Sequence, residues 1–184
     1  LETLSPNVIA PDYTDAGCPV LLTEPQSTNL VTYSEELTQW GSGADVIVTD
    51  NDTTSPNGTV NASSIVPSNT LDRHRIAQTQ TIASGLNYVY SFFVKPKGND
   101  FFVVRGIKGT GINYNVCFNV STNSVVFDGF GGSTIESFGS NGWYICTLNF
   151  LSIGTIGFFY IRSTPMSVND NNSFLFTGNG VNGA

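Results

Sequence analysis

The chain has 184 residues, which suits one domain with a short appendage and allows a substantial buried core. Only 11% of the residues are charged, the net charge is −7 and the isoelectric point is near 4.3. That balance argues against nucleic-acid binding, because no basic stripe exists to neutralise phosphates, and an anionic membrane surface would repel it. No apolar run approaches the length of a bilayer span, so membrane insertion is not expected.

In chain order, residues 1–15 carry Pro6 and Pro11 but little periodicity, and are predicted to be an extended leader or linker arm. Residues 16–184 are predicted to form one domain. Strand-like runs fall at Val20–Glu24, Ala44–Thr49, His74–Ile82, Tyr88–Lys95, Phe101–Lys108, Ile112–Val120, Ser124–Phe127, Trp143–Leu151, Thr155–Arg162 and Ser173–Thr177. Turn clusters punctuate them at residues 55–58, 97–100, 129–132, 140–142 and 169–172. One short helix is predicted, opening at Ser34 as N-cap and running through Glu35, Glu36 and Leu37. Many short strands, 12% aromatic residues and no long helical period predict an all-β fold, an antiparallel β-sandwich of jelly-roll type. The chain stops in the turn-like "TGNGVNGA", so the final strand of the sandwich is expected to be missing.

Alternation assigns faces. In "INYNVCFNV", Ile112, Tyr114, Val116, Phe118 and Val120 share the predicted core face, and Asn113, Asn115, Cys117 and Asn119 the predicted solvated face. "YVYSFFVK" and "TIGFFYIR" are apolar on both faces, which predicts central strands or strands covered on their second side. Arg105 and Lys108 precede the Asn row across the short Gly109–Gly111 turn and are expected as its neighbours in the ladder.

Catalysis is not expected. The single histidine, His74, sits between Arg73 and Arg75 at a strand start and reads as a surface residue rather than a general base. No nucleophile elbow or metal-binding His pair occurs, and Glu24, Glu35 and Glu136 stand in no context that marks a glycosidase pair. No cofactor is expected, with a structural calcium ion as the one alternative. "DNDTTSPNG" at Asp50–Gly58 has Ser55 where a calcium loop needs glycine, and Asn61 where it needs glutamate. A non-helical oxygen cage drawn from Glu24, Asp50, Asp52 or Asp170 stays open beside the turn chemistry that accounts for the same residues. Cys18, Cys117 and Cys146 form neither a disulfide framework nor a zinc motif, and the last two read as buried thiols. Five Asn-x-Ser/Thr sequons are the chance product of an Asn- and Thr-rich composition.

A sugar site needs an aromatic plate and planar polar groups. Trp40 and Tyr144 are the candidate plates, with core or rim packing as the alternative; Trp143 is expected to seal one end of the sandwich. Asn113, Asn115 and Asn119, with Arg105 and Lys108, are the candidate polar partners, an ordinary wet sheet face being the alternative. Arg73 and Arg75 are further cations suited to acidic sugars.

The stretch "LETLSPNVIAPDYTDAGCPVLLTEPQSTNLVTYSEELTQW" resembles a segment of bacteriophage virion and tail-fibre proteins. Its recurring parts stand here as Leu1-Glu2-Thr3, Asp12-Tyr13, Gly17-Cys18-Pro19, Leu21 to Gln26, Thr28-Asn29-Leu30 and Tyr33-Ser34-Glu35. Downstream, "SPNGTVNASSI" is similar to the family's Pro-Asp-Gly turn before a strand, with Asn57 for Asp. "NGWYICTLNF" is similar to its Gly-Trp-Tyr-Arg strand, with Ile145 for Arg. The resemblance implies a carbohydrate-binding-module-like jelly roll on a virion assembled in the bacterial host cytoplasm, without a catalytic site. It implies other virion subunits as partners, a homo-oligomer (a trimer if in a fibre) and a cell-surface or environmental glycan as ligand. A structural virion spacer, or a carbohydrate-binding module appended to a polysaccharide-degrading enzyme, are the alternatives. The family's closing Trp-Gly-Ala-Gln-Leu-Glu strand is absent.

Overall fold

The computed structural model describes residues 11–12, 20–21, 28–41, 45–108, 111–172 and 174–184. The chain divides into two compact units, 1–30 and 31–184. In the first, β1 (Pro11–Asp12) and β2 (Val20–Leu21) pair antiparallel, Pro11 opposite Leu21 and Asp12 opposite Val20. The rest of the run expected to reach Glu24, with Cys18 and Glu24 themselves, lies outside the described residues.

The second unit carries β3 (Val46–Thr54), β4 (Val60–Pro67), β5 (Leu71–Asp72), β6 (Ile76–Thr81), β7 (Asn87–Val94), β8 (Phe101–Ile107) and β9 (Asn113–Asn119). After them come β10 (Ser124–Asp128), β11 (Ser133–Phe138), β12 (Trp143–Leu151), β13 (Ile156–Thr164) and β14 (Phe176–Thr177). A five-stranded sheet runs β10-β9-β8-β13-β6, and a three-stranded sheet β11-β12-β7. Two ribbons, β3-β4 and β5-β14, complete the unit. Every pairing between these strands is antiparallel. The fold is an all-β antiparallel sandwich.

The core forms where the inward faces of the two larger sheets meet. Of the predicted inward set, Val116, Phe118 and Val120 are buried and Tyr114 packs half-buried, but Ile112, before β9 begins, is exposed; beside them lie Phe102 and Val104 of β8 and Phe159 and Ile161 of β13. Opposite stand Tyr90 of β7 and Cys146, Leu148 and Phe150 of β12. Tyr90 lies 4.3 Å from Phe159 between ring centroids, and Phe150 lies 5.7 Å from it, so aromatic packing joins the sheets. Cys117 and Cys146 are free buried thiols, as expected; burial raises both, Cys146 to about 12.

Several expectations need correction. The helix predicted from Ser34 is a single 3-10 turn at Leu37–Gln39, and no side chain caps it. β7, expected to be central or covered, is an edge strand whose outward Val89 and Phe93 are exposed. Alternation did not mark β4 or β11, because "VNASSIVP" and "STIESF" carry too few apolar residues at period two; the strand that the resemblance implied after the 55–58 turn is β4. The calcium-like stretch is mostly strand β3, bulged where the pairing shifts between Thr49 and Thr53, with Asn51 at φ 55°.

The other face of the five-stranded sheet is covered as well. Residues 165–172 and 174–175 cross it without joining a strand, and Val168 and Phe174 pack with Val103, Cys117, Phe101 and Phe127 in a second apolar cluster. At the far end, the Ala184 N–H donates to the Ile65 carbonyl at 3.2 Å, and the Gly183 N–H to the Lys97 carbonyl at 2.7 Å.

Candidate functional site

The register of the five-stranded sheet sets the geometry. Tyr160 of β13 stands opposite Arg105 of β8, and Arg105 stands opposite Asn115 of β9. The expected cross-ladder neighbourhood of Arg105 and Asn115 is therefore observed, with Arg105 Nη1 donating to Asn115 Oδ1 at 3.1 Å. The expected solvated face is not. Arg105 is 8% exposed and Asn115 is wholly buried, because the 165–175 segment lies on them. Asn115 Nδ2 donates to the carbonyls of Asp170 at 2.7 Å and Asn172 at 2.9 Å, while Asn171 Oδ1 accepts from the Asn115 N–H. Arg105 Nη1 also donates to the Asn171 carbonyl at 2.6 Å. Asn115 is thus a fastener for its own cover rather than a ligand group. Asn119 accepts from the Thr122 N–H and closes the β9–β10 turn, and Asn113 is half-buried at the start of β9.

The two candidate plates follow the packing alternative. Trp40 is 8% exposed and belongs to the core, its indole N–H donating to the Tyr33 carbonyl at 3.0 Å. Tyr144 points inward from β12 and packs half-buried against the core. His74, expected at the surface, is fully buried. Its φ of 42° turns the chain so that the ring enters the protein between Arg73 and Arg75. Nε2 faces the carbonyls of Thr70 and Phe176 at 3.0 and 2.9 Å, and Nδ1 faces that of Asp45.

Lys108 reaches the end of the sandwich instead of the Asn row. Its Nζ donates to the Phe130 carbonyl at 2.9 Å and lies 4.4 Å from the Tyr114 ring centre. Burial lowers its affinity for the proton, and the nearby Asp128 charge opposes that. Lys108, Tyr88, Tyr114, Phe130 and Asn149 border an open depression of about 650 Å³ there.

The more polar depression, about 450 Å³, lies at the β6 edge of the five-stranded sheet. Gly41 bridges to Ala77 and fixes residues 31–41 along that edge. Tyr33, Gln39, Arg75, Gln78 and Tyr160 line the hollow, with Trp40 behind them. The Arg75 guanidinium stacks 3.8 Å from the Tyr160 ring centre. Gln78 Nε2 donates to the Thr32 carbonyl at 2.7 Å and to its hydroxyl at 2.8 Å, while its buried Oε1 has no partner among the described residues. An exposed phenol, an anchored amide with a spare acceptor and a ring-stacked guanidinium can together hold a hydroxylated or anionic ligand.

Sequence reading missed Tyr33, Gln78, Tyr160 and Arg162. The available signal was Arg162 itself: a charge at period two in a strand already read as covered twice must be a buried charge.

The calcium candidates do not converge. Asp50 accepts from Ser63 Oγ at 2.6 Å and from Thr38, and Asp52 pairs with Lys97 at 2.8 Å. Asp170 accepts from the Asn172 N–H and Nδ2. Among the described residues no three His, Cys, Asp or Glu side chains come together as a metal set, and no helix is long and apolar enough to cross a membrane. No protein-family model matches the chain, and no curated protein matches it.

Proposed function

We infer that this chain is a non-catalytic glycan-binding domain of a bacteriophage virion, a fibre or surface-decoration module for host or environmental polysaccharide. The virion setting comes from the resemblance of the opening 40 residues. Glycan binding is supported by one observation above the others: the hollow at the β6 edge combines Tyr33, Gln78 and Arg75 beside Tyr160 in a volume suited to one or two sugar rings. The ligand site moves from the Asn row to this edge. An array of bacterial surface polysaccharides probed with the protein tests the reading. Binding should appear, and Tyr33→Ala and Gln78→Ala should each weaken it by about 1–3 kcal/mol through lost contacts. Silence across the array, or unchanged affinity in both variants, removes it.

A second reading, a structural virion domain without ligand, is favoured by a different observation. The outer face of the three-stranded sheet exposes Val89, Phe93, Phe138 and Leu151, with Phe93 and Phe138 in ring contact at 4.9 Å. A second copy of the chain would cover them. The two readings are compatible in one virion protein.

A further inference from the structure

The seven cations of this chain are unevenly placed. All four arginines, Arg73, Arg75, Arg105 and Arg162, belong to one region of the five-stranded sheet. Arg105 and Arg162 project from the covered face of β8 and β13, and Arg73 and Arg75 lead into β6, the neighbour of β13. Each of the four lies within electrostatic reach of Arg162 or is Arg162 itself.

Among the described residues, no acidic side chain forms an ion pair with any of them. The one ion pair among the described residues is Lys97–Asp52, elsewhere in the fold. Asp170 attracts Arg105, but it is fully exposed and already holds Asn172. Asp72 accepts from the Arg73 N–H rather than from its guanidinium. Among the described residues, the direct contacts the cover gives the arginines are neutral: the Asn171 carbonyl to Arg105, and the Phe174 ring 4.4 Å from the Arg162 guanidinium carbon.

Arg162 is the centre of the imbalance. It is wholly buried, and Nε, Nη1 and Nη2 all lack a hydrogen-bond partner among the described residues. Burial first, and then the charges of Arg105, Arg75 and Arg73, push it down to about 9, so it still carries its charge at neutral pH. A buried guanidinium with five unsatisfied donors is costly to any fold unless a counter-charge meets it. Planar guanidinium forks match the oxygens of carboxylate, sulfate and phosphate groups.

We propose that the arginine quartet is an oxyanion site, and that it makes the glycan recognised at the β6 edge an acidic one. The second clause rests on the glycan reading; the first does not. Arg75 belongs to both places, lining the hollow while its charge acts on Arg162 and Arg105. A polysaccharide bearing carboxylate or sulfate groups can therefore lay a ring beside Tyr33 and Gln78 with its anionic group on Arg75, the arginine among the four that lines the hollow.

Two probes separate the sources of the anion. The first is inorganic sulfate titrated against chloride at matched ionic strength, read as thermal melting and by calorimetry. A saturable stabilisation by sulfate in the millimolar range is expected, beyond the general salting effect, which does not saturate. Arg75→Gln should weaken it by about tenfold, the loss of one charge-assisted contact. Arg162→Met should abolish it. Should that variant not fold, Arg73→Gln together with Arg75→Gln carries the same test from more exposed positions. The second probe is polygalacturonate against a neutral glucan.

Sulfate saturation with preference for polygalacturonate supports both clauses. Sulfate saturation without polysaccharide binding keeps the oxyanion site and removes the acidic glycan. Binding of the neutral glucan with no sulfate response overturns the oxyanion site and leaves the glycan reading standing. A sulfate effect that is unsaturable, or identical in the variants, also overturns it.

Discussion

Asn115 ties three carbonyl-bearing residues and one guanidinium into a single buried knot. Its Nδ2 serves Asp170 and Asn172, its Oδ1 serves Arg105, and its N–H serves Asn171. Asn115→Leu keeps the volume but strands two carbonyls and an arginine donor in a dry setting. Urea unfolding should then show a loss of about 2–4 kcal/mol, the cost of leaving several buried polar groups unpaired. A loss within experimental error would mean that water replaces the amide. A different residue sets the acid limit. Burial alone would raise the Asp128 carboxyl, but hydrogen bonds from Ser133, Gly131 and Phe130 outweigh it and hold the group below its ordinary value. A carboxyl lowered by folding binds its proton more readily when unfolded. Its contribution is therefore complete above about pH 4 and is lost as the pH falls through the lower folded value. Asp128→Asn should flatten the decline of stability below about pH 4 while lowering stability at neutral pH. An unchanged acid slope would assign the decline to the other carboxyls held low: Asp50 by Ser63 and Thr38 against burial, Asp52 by Lys97 and Asp170 by Asn172.

At the scale of elements, the segment 165–175 determines what the five-stranded sheet presents. It is clamped at Gly129, where an added Cβ would lie 2.3 Å from Asn171 Oδ1 and 2.8 Å from the Asn115 carbonyl. Gly129→Ala should therefore lift the cover more than it disturbs the sheet. Amide exchange is expected to quicken across 165–175 and at Asn115, with a global loss of about 1–3 kcal/mol from overpacking. Exchange that quickens instead in β7 and β12 would refute the clamp. This cover also explains what the sequence could and could not reveal. Period two in "INYNVCFNV" located the core face of β9, and the short turn before it placed Arg105 beside Asn115. Nothing in one strand's alternation says which loop lies on its polar side, and the covering segment pairs with no strand, so its contacts leave no period. β7 erred in the opposite direction: Val89 and Phe93 read as covered and are exposed on an edge. The polar hollow was illegible for a related reason. Tyr33, Gln78, Arg75 and Tyr160 come from three separate parts of the chain, brought together by the pairing of β6 with β13, the Gly41–Ala77 bridge and the Gln78–Thr32 hydrogen bonds.

For the whole molecule, charge and apolar surface are segregated. The arginines gather on the five-stranded sheet, whereas the outer face of the three-stranded sheet shows Val89, Phe93, Phe138 and Leu151 to solvent. The face ends in β7, an edge strand, which is the part of a sheet most ready to accept another chain. If the protein assembles as the virion reading holds, this face is where copies meet, and the arginine side stays outward for ligand. Light scattering should then give a mass that is a multiple of the 19.7 kDa chain, three-fold in a fibre setting. Phe93→Lys places a charge in the centre of the apolar stripe, on an exposed side chain, so folding should survive and association should fall to the monomer. Glycan or sulfate affinity per chain should not change in that variant, because Phe93 lies on the other sheet from Arg75 and Tyr33. A wild-type chain that remains monomeric at high micromolar concentration would remove the assembly proposal. An oligomer that persists in Phe93→Lys would move the contact to another surface.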